Sequence, residues 1–328
     1  AAQIAAWAQV LASLGEGDKI SRLVWVERAD PEHLAPEHLA PGHLGQEAAP
    51  NGAVSACQRA LRADYRQLVA HVGTLGTRRE VHLGLQVATK GADQEAVCAE
   101  ASAKCRAVAG ALAGAGIASR PLGLFELAGL VRTWADPSAR ARARAWDGLD
   151  PGGAGPLARE VSWDHLRSDG ALHRAYVVAA WPRVPLGPSW LEPLLACAPP
   201  RAARTLAIHL EPVPADLARR QAQAARLNAG LDQAQRSRWG FVSGPRQEAE
   251  LAEAARLEEE LVAGYPSHRL GAVLMVSAPD EDALGEASSA LEQAATSARV
   301  DLRCAYGSQD LAWASTLPIC RARLRGRA

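Results

Sequence analysis

The sequence predicts an α+β protein in two domains. Three observations predict it: a strand–acidic turn–helix unit that occurs twice, a second half that alternates strands and helices, and two oppositely charged helical segments inside that half. The first copy of the unit spans residues 80–116 and reads EVHLGLQVATKGADQEAV before a helix of small residues. The second spans 269–307 and reads RLGAVLMVSAPDEDAL, another small-residue helix, and VDLRCAYG. Asp93 in DQEAV aligns with Asp280 in DEDAL. A carboxylate at a helix start satisfies free N–H groups and suits the positive end of the dipole, so both aspartates read as helix caps.

Each element follows from its local pattern. Residues 5–14 read as a short helix carrying Trp7, Val10 and Leu14, and SRLVWVE at 21–27 is a β-branched, aromatic strand. PEHLAPEHLAPGHLG, at 31–45, is a proline-broken tandem repeat within a disordered or surface loop at 30–52. Leu61, Tyr65, Leu68 and Val69 recur at helical spacing in 56–72. Strand 80–89, helix 92–115 and a short helix at 121–135 complete a first domain at 1–135. A linker at 136–158 joins PSARARARA to DGLDPGGAGP, poor material for a core.

The second domain spans 159–320. Two strands flank Ser168-Asp169-Gly170 as a hairpin, SWLEPLLAC (189–197) is a short helix and RTLAIHLEPV (204–213) a strand. A helical hairpin at 215–264 breaks near WGFVSGP, the second repeat copy follows, and a last short helix at 310–317 precedes an Arg-rich tail at 321–328. Strand, helix, strand, helical pair, strand, helix, strand is a split βαβ order. It predicts a ferredoxin-like domain with an inserted helical hairpin, and the first domain is a looser version of the same plan.

The hairpin is divided by charge. Its first arm holds Arg219, Arg220, Arg226, Arg236 and Arg238 against Asp216 and Asp232. Its second holds Glu248, Glu250, Glu253, Glu258, Glu259 and Glu260 against Arg246 and Arg256. Packed antiparallel, the arms pair opposite signs, each exposed pair worth about 0–1 kcal/mol. The functional alternative is an arm that docks a partner, with Glu258, Glu259, Glu260, Arg219 and Arg220 as its contact residues.

Composition sets the remaining bounds. The chain has 328 residues, 48% hydrophobic and 22% charged, with formal net charge +0, so no global nucleic-acid footprint shows. Six cysteines lie at 57, 98, 105, 197, 304 and 320 without a CxxC, and read as reduced, buried thiols. No stretch of eighteen uninterrupted apolar residues occurs. The chain begins at Ala1 and Met275 is its only methionine, so the expectation is a fragment or processed form, with room for a membrane segment upstream.

Motifs for chemistry are missing. No Gly-Lys dipeptide exists, which excludes a P-loop motor in this sequence, and there is no GxGxxG, HExxH or GxSxG. No catalytic, cofactor-binding or metal-binding residue is expected. His33, His38 and His43 recur on a proline-broken loop and read as solvated. His82, His173 and His209 lie at or in strands and read as structural. Asp164 and His165 follow Trp163 with no nucleophile motif beside them. Arg140, Arg142 and Arg144 near Trp134 and Trp146, like the arginines of the tail, read as solvated, so direct nucleic-acid binding is not expected.

Several segments carry a resemblance. Trp7-Ala-Gln-Val-Leu-Ala, VWVER at 24–28, HRAYVVAAWPRV, RTLAIHLEPVP, EEELVAGY, VSAPDEDAL and YGSQDLAWASTLPICR occur in one order. Trp181-Pro182-Arg183, Glu211-Pro212 and Leu317-Pro318 are the most specific of them. Together they resemble the actinobacterial conjugation-associated proteins, in which a PrgI-type membrane segment precedes a soluble region similar to the N-terminal, non-motor domain of type IV secretion ATPases. The resemblance covers most of the chain outside the 31–50 loop and the 136–158 linker. The His-Leu repeat and the Arg-rich linker depart from it. It implies a non-catalytic component at the cytoplasmic face of the inner membrane. Such a component docks a separate hexameric P-loop ATPase and membrane subunits of the same machine, as part of an oligomeric assembly. Two other readings stay open: a soluble domain of a type VII secretion membrane subunit, which the gene neighbourhood separates, and an enzyme or small-molecule-binding module. The last would show as a deep polar pocket holding His165, His173 or His209 beside a carboxylate.

Overall fold

A computed structural model describes residues 20–31, 77–88, 93–137, 151–182, 189–197, 201–238 and 245–321, with a few isolated positions besides. It is a mixed α+β protein, as expected, and its described strands form one eight-stranded sheet. In chain order the elements are β1 (Ile20–Pro31), β2 (Thr77–Val87), α1 (Gln94–Gly114), α2 (Leu124–Ala135), β3 (Arg159–Val161), β4 (Leu166–Ser168), β5 (Ala171–Ala180), α3 (Glu192–Ala196), β6 (Ala203–Val213), α4 (Ala215–Arg238), α5 (Pro245–Val262), β7 (Ser267–Ala278), α6 (Glu281–Ser297), β8 (Asp301–Cys304) and α7 (Gln309–Thr316). The expected helix at 56–72, the His-Leu repeat, most of the linker and nearly all of the tail lie outside the described residues.

The strand order is β2-β1-β6-β7-β5-β4-β3, with β8 also paired to β5. β5 is long enough to be shared: its first residues pair with β4 (His173 opposite Leu166) and its later ones with β8 (Tyr176 opposite Cys304). Its other edge pairs antiparallel with β7, Ala175 opposite Met275. The β4–β5 turn is the tight hairpin expected at Ser168-Asp169-Gly170. Ser168 faces Ala171, and Asp169 adopts φ 49°, the left-handed conformation such turns require.

Two compact units divide the chain. One gathers Ala1–Val24, Gly84–Leu122 and Ile208–Gly271; the other gathers Trp25–Leu83, Gly123–Ala207 and Ala272–Ala328. The second holds most of the buried apolar side chains, among them Trp134, Leu166, Leu172, Leu206, Val273, Leu274, Met275, Leu284 and Leu291. α6 seals this core because its buried residues (Ala283, Leu284, Ala287, Ser288, Leu291 and Ala295) recur at helical spacing on one side.

The repeated unit differs at its cap. Asp280 has extended backbone, and its side chain accepts the Ala283 N–H at 2.9 Å, so α6 begins there. Asp93 occupies the same position before α1 but makes no side-chain cap bond, which corrects the expectation that both aspartates cap. The far ends agree. Ile117 N donates to Leu112 O and Val300 N to Ala295 O, both 2.9 Å, closing each helix over a left-handed residue, Gly116 (φ 76°) or Arg299 (φ 56°).

Candidate functional site

The sequence points to the α4–α5 hairpin, and its geometry is built from small residues. α4 is rich in alanine, a strong helix former, and starts where Ala218 N donates to Pro214 O at 2.9 Å. α5 opens on Pro245, a residue suited to a first helical turn. It ends at Gly264 (φ 91°), where Tyr265 N reaches Glu260 O at 3.0 Å. The seam between the helices is small: Ala218 and Ala222 pack with Leu261, and Val213 closes one end.

The five expected contact residues divide into three groups. Glu258 binds across the hairpin, accepting from Arg226 Nη1 at 2.5 Å. Glu260 and Arg220 stay within their own helices, Glu260 accepting from Arg256 (2.9 Å) and Arg220 donating to Asp216 (2.5 Å). Glu259 and Arg219 are exposed. Arg226, Glu258 and Glu259, with Ala255, Val262 and Ala263, line an open cavity of about 430 Å³. The hydrogen bond to Glu258, reinforced by the charge of Glu258 and by that of Glu259, raises the Arg226 pKa above its ordinary value. A carboxylate–guanidinium rim with Val262 80% exposed can bind a charged, partly apolar surface; it offers no nucleophile.

The root of the hairpin holds a clamp that the sequence reading did not single out. Glu211, on β6, accepts from Arg22 of β1 and from Arg269 of β7, the latter at 3.3 Å. Burial works against the Glu211 carboxylate, but the two guanidiniums outweigh it and lower its pKa. These partners lie 189 and 58 residues away in sequence, so no local pattern could show them. The Glu211-Pro212 dipeptide was the available signal.

Of the other candidates, His82, His165 and His173 lie in the second unit and His209 in the first. His173 is buried. Ser168 donates its hydroxyl proton to Ala135 O at 2.6 Å, so His173 Nε2 donates to Ser168 Oγ and Ser277 donates into Nδ1, both at 2.8 Å. Desolvation, with the Arg28 charge, pushes His173 down to about 3, so the ring is neutral. That is a structural histidine, as expected. His82 stands edge-on to Trp134, ring centroids 5.7 Å apart, and His209 is buried in β6.

Asp164 accepts from His165 Nδ1 (2.9 Å) and from Arg174 (2.5 Å), and Arg174 reaches Ser288 Oγ at 3.2 Å. The His165 bond holds the Asp164 pKa below its usual value against some burial. The cavity lined by Arg226, Glu258 and Glu259 does not include these histidines. Cys197 and Cys304 are held above the ordinary thiol range by burial, whereas Cys98 is exposed, against the expectation of buried thiols throughout. Among the described residues, no three His, Cys, Asp or Glu side chains are grouped to hold a metal ion, and no helix is long and apolar enough to cross a membrane. No protein-family model matches the chain, and no curated protein matches it.

Proposed function

We propose that this chain is a non-catalytic docking component of a type IV secretion or conjugation machine, binding a separate hexameric P-loop ATPase at the cytoplasmic face of the inner membrane. The observation that carries the proposal is the α4–α5 hairpin. It presents a carboxylate–guanidinium rim and exposed apolar side chains around an open cavity, chemistry suited to gripping another protein. The sequence resemblance gives the partner. The strand order β8, β5, β7, β6, with α3 and α6 between successive strands, supports reading the second half as ferredoxin-like with the hairpin inserted between β6 and β7. The clamp of Glu211 with Arg22 and Arg269 supports the same reading, because it fixes the root from which the hairpin is presented.

The test is capture of a P-loop secretion ATPase encoded beside this gene, at low salt, by the intact chain. Retention is the expected result; failure to bind with the hairpin intact sinks the proposal. Charge reversal sharpens it. Glu259→Lys weakens capture by about fivefold or more, an effect lost at high salt, because Glu259 lines the cavity and acts on Arg226 through its charge, with no hydrogen bond to it described.

A further inference from the structure

α4 is built inside out. The residues it turns toward α5 are alanines, Ala218 and Ala222, 3% and 1% exposed, whereas its leucines face away: Leu217 is 38% exposed, Leu227 67% and Leu231 65%. A hairpin selected to stand alone would place those leucines in its own seam, where burying each is worth roughly 1.5–3 kcal/mol. The outward residues Leu217, Ala224, Leu227 and Leu231 fall at positions a, a, d and a of a heptad repeat, the spacing of a coiled-coil seam. This is a second seam, on the side of α4 opposite α5.

We propose that this seam is closed by a second copy of the same chain, α4 against α4, antiparallel about a two-fold axis near Leu227. The register argues for a copy over a stranger. With the axis there, Leu227 meets Leu227 of the second copy, and Leu231 comes within one residue's rise, about 1.5 Å, of the level of Ala224 of the second copy, so large packs on small in both directions. Charge complementarity fits as well. Asp216, at the start of the helix, comes beside Arg238 at the end of the second copy's helix, and the two-fold repeats that pair at the other end. The positions flanking the seam, Gln221, Gln223, Asn228 and Gly230, carry no charge, and Arg220, at the d position between Leu217 and Ala224, is paired with Asp216 of its own helix. The seam is separate from the Glu258–Glu259 cavity, so it stands whether or not the ATPase binds there.

Sedimentation velocity on the full chain, from low micromolar to about 100 μM, tests the idea. The mass is expected to rise with concentration from 34.6 kDa to twice that value. Leu227→Glu places two carboxylates at the axis and weakens self-association by at least about tenfold. Its exposed position leaves the circular dichroism spectrum unchanged. Cysteine trapping fixes the geometry, with the unsubstituted chain as the blank for native thiols. Leu227→Cys cross-links to itself under mild oxidation. Leu231→Cys alone does not, because the two copies of residue 231 lie about 12 Å apart along the helix direction, but it cross-links to Ala224→Cys when the two variants are mixed. A mass that stays at one chain throughout overturns the proposal in favour of a cover from elsewhere in this chain or from another protein. Self-association that survives Leu227→Glu overturns it as well.

Discussion

Glu27 meets Arg204 with side chains 6% and 0% exposed, whereas Arg226 meets Glu258 with side chains 58% and 26% exposed. The chemistry is the same and the consequence is not. Arg204 also donates to the carbonyls of Leu195 and Cys197, at 3.1 and 3.0 Å, and so ties β6 to the segment around α3. Beside it, Arg28 donates to both carboxylate oxygens of Asp30 (3.0 and 3.1 Å) and lies 5.2 Å over the Trp134 ring. Two charges taken out of water depend on each other, because either one left alone is an unsolvated ion. The hairpin charges keep their water and depend on their partners very little. One unit uses arginine and glutamate to lock a core; the other holds them where a second protein can reach them.

The largest break in that comparison is Arg204→Ala. It leaves Glu27 buried, with Arg79 at 4.0 Å as its remaining ion-pair partner among the described residues, and costs about 3–5 kcal/mol of stability by urea unfolding. Replacing both partners, Glu27→Leu with Arg204→Met, recovers much of that loss, since an apolar pair of similar volume needs no charge balance. A double variant no more stable than Arg204→Ala would show that the bonds to Leu195 and Cys197 outweigh the ion pair.

His173 gives the next largest effect, and its sign follows from its two states. The folded ring titrates at about 3, while the unfolded chain takes up a proton near the ordinary 6.5. Stability from this group is therefore complete above pH 6.5 and is lost as pH falls toward 3. The slope is at most about 1.4 kcal/mol per pH unit, or about 2 kcal/mol between pH 6.5 and 5. His173→Gln is expected to flatten the profile in that window. An unchanged profile would move the pH sensitivity to other groups.

A third, smaller test compares the two copies of the repeat. Asp280→Ala removes the bond to Ala283 N and costs about 1 kcal/mol. Asp93→Ala removes no such bond and leaves the unfolding midpoint of the chain where it was. Equal effects from the two would mean that the second capping bond forms in solution.

Much of the fold is legible in sequence because its signals are local. VHLGLQV and RLGAVLMVSA alternate or run apolar as strands do, Ser168-Asp169-Gly170 makes its turn, and the glycine after α1 closes that helix. The break between α4 and α5 is marked by WGFVSGP, which the proline and glycines interrupt. The charge split of the hairpin was also visible, and with it the meeting of opposite signs across the hairpin, though not that Arg226 and Glu258 are the residues that pair. The buried charges were not. Arg22, Glu27, Arg28 and Asp30 make the end of β1 look solvent-facing, so the strand reads as ending at Glu27, yet it runs on to Pro31. Glu27 meets Arg204 and Arg28 meets Thr205, each 177 residues away, and Arg22 meets Glu211, 189 residues away; a single sequence does not record such pairings. The same holds for the outward leucines of α4. Their spacing is helical, but only the fold shows that alanines took the inner seam.

The smallest expected effect is the most useful for function. Arg226→Ala removes the one cross-hairpin hydrogen bond described for Glu258, at a guanidinium open to solvent, and is expected to leave the unfolding midpoint unchanged within error. Circular dichroism melts at low and high salt measure it; a clear loss at low salt alone would mean that the hairpin needs this pair to fold. If the midpoint holds, the pair is free to do other work, since exchanging it for a partner's charges costs the hairpin nothing. Capture of the ATPase by the same variant then separates the two units of the comparison. A charge kept for the fold shows in the melt, and a charge kept for a partner shows only in the binding.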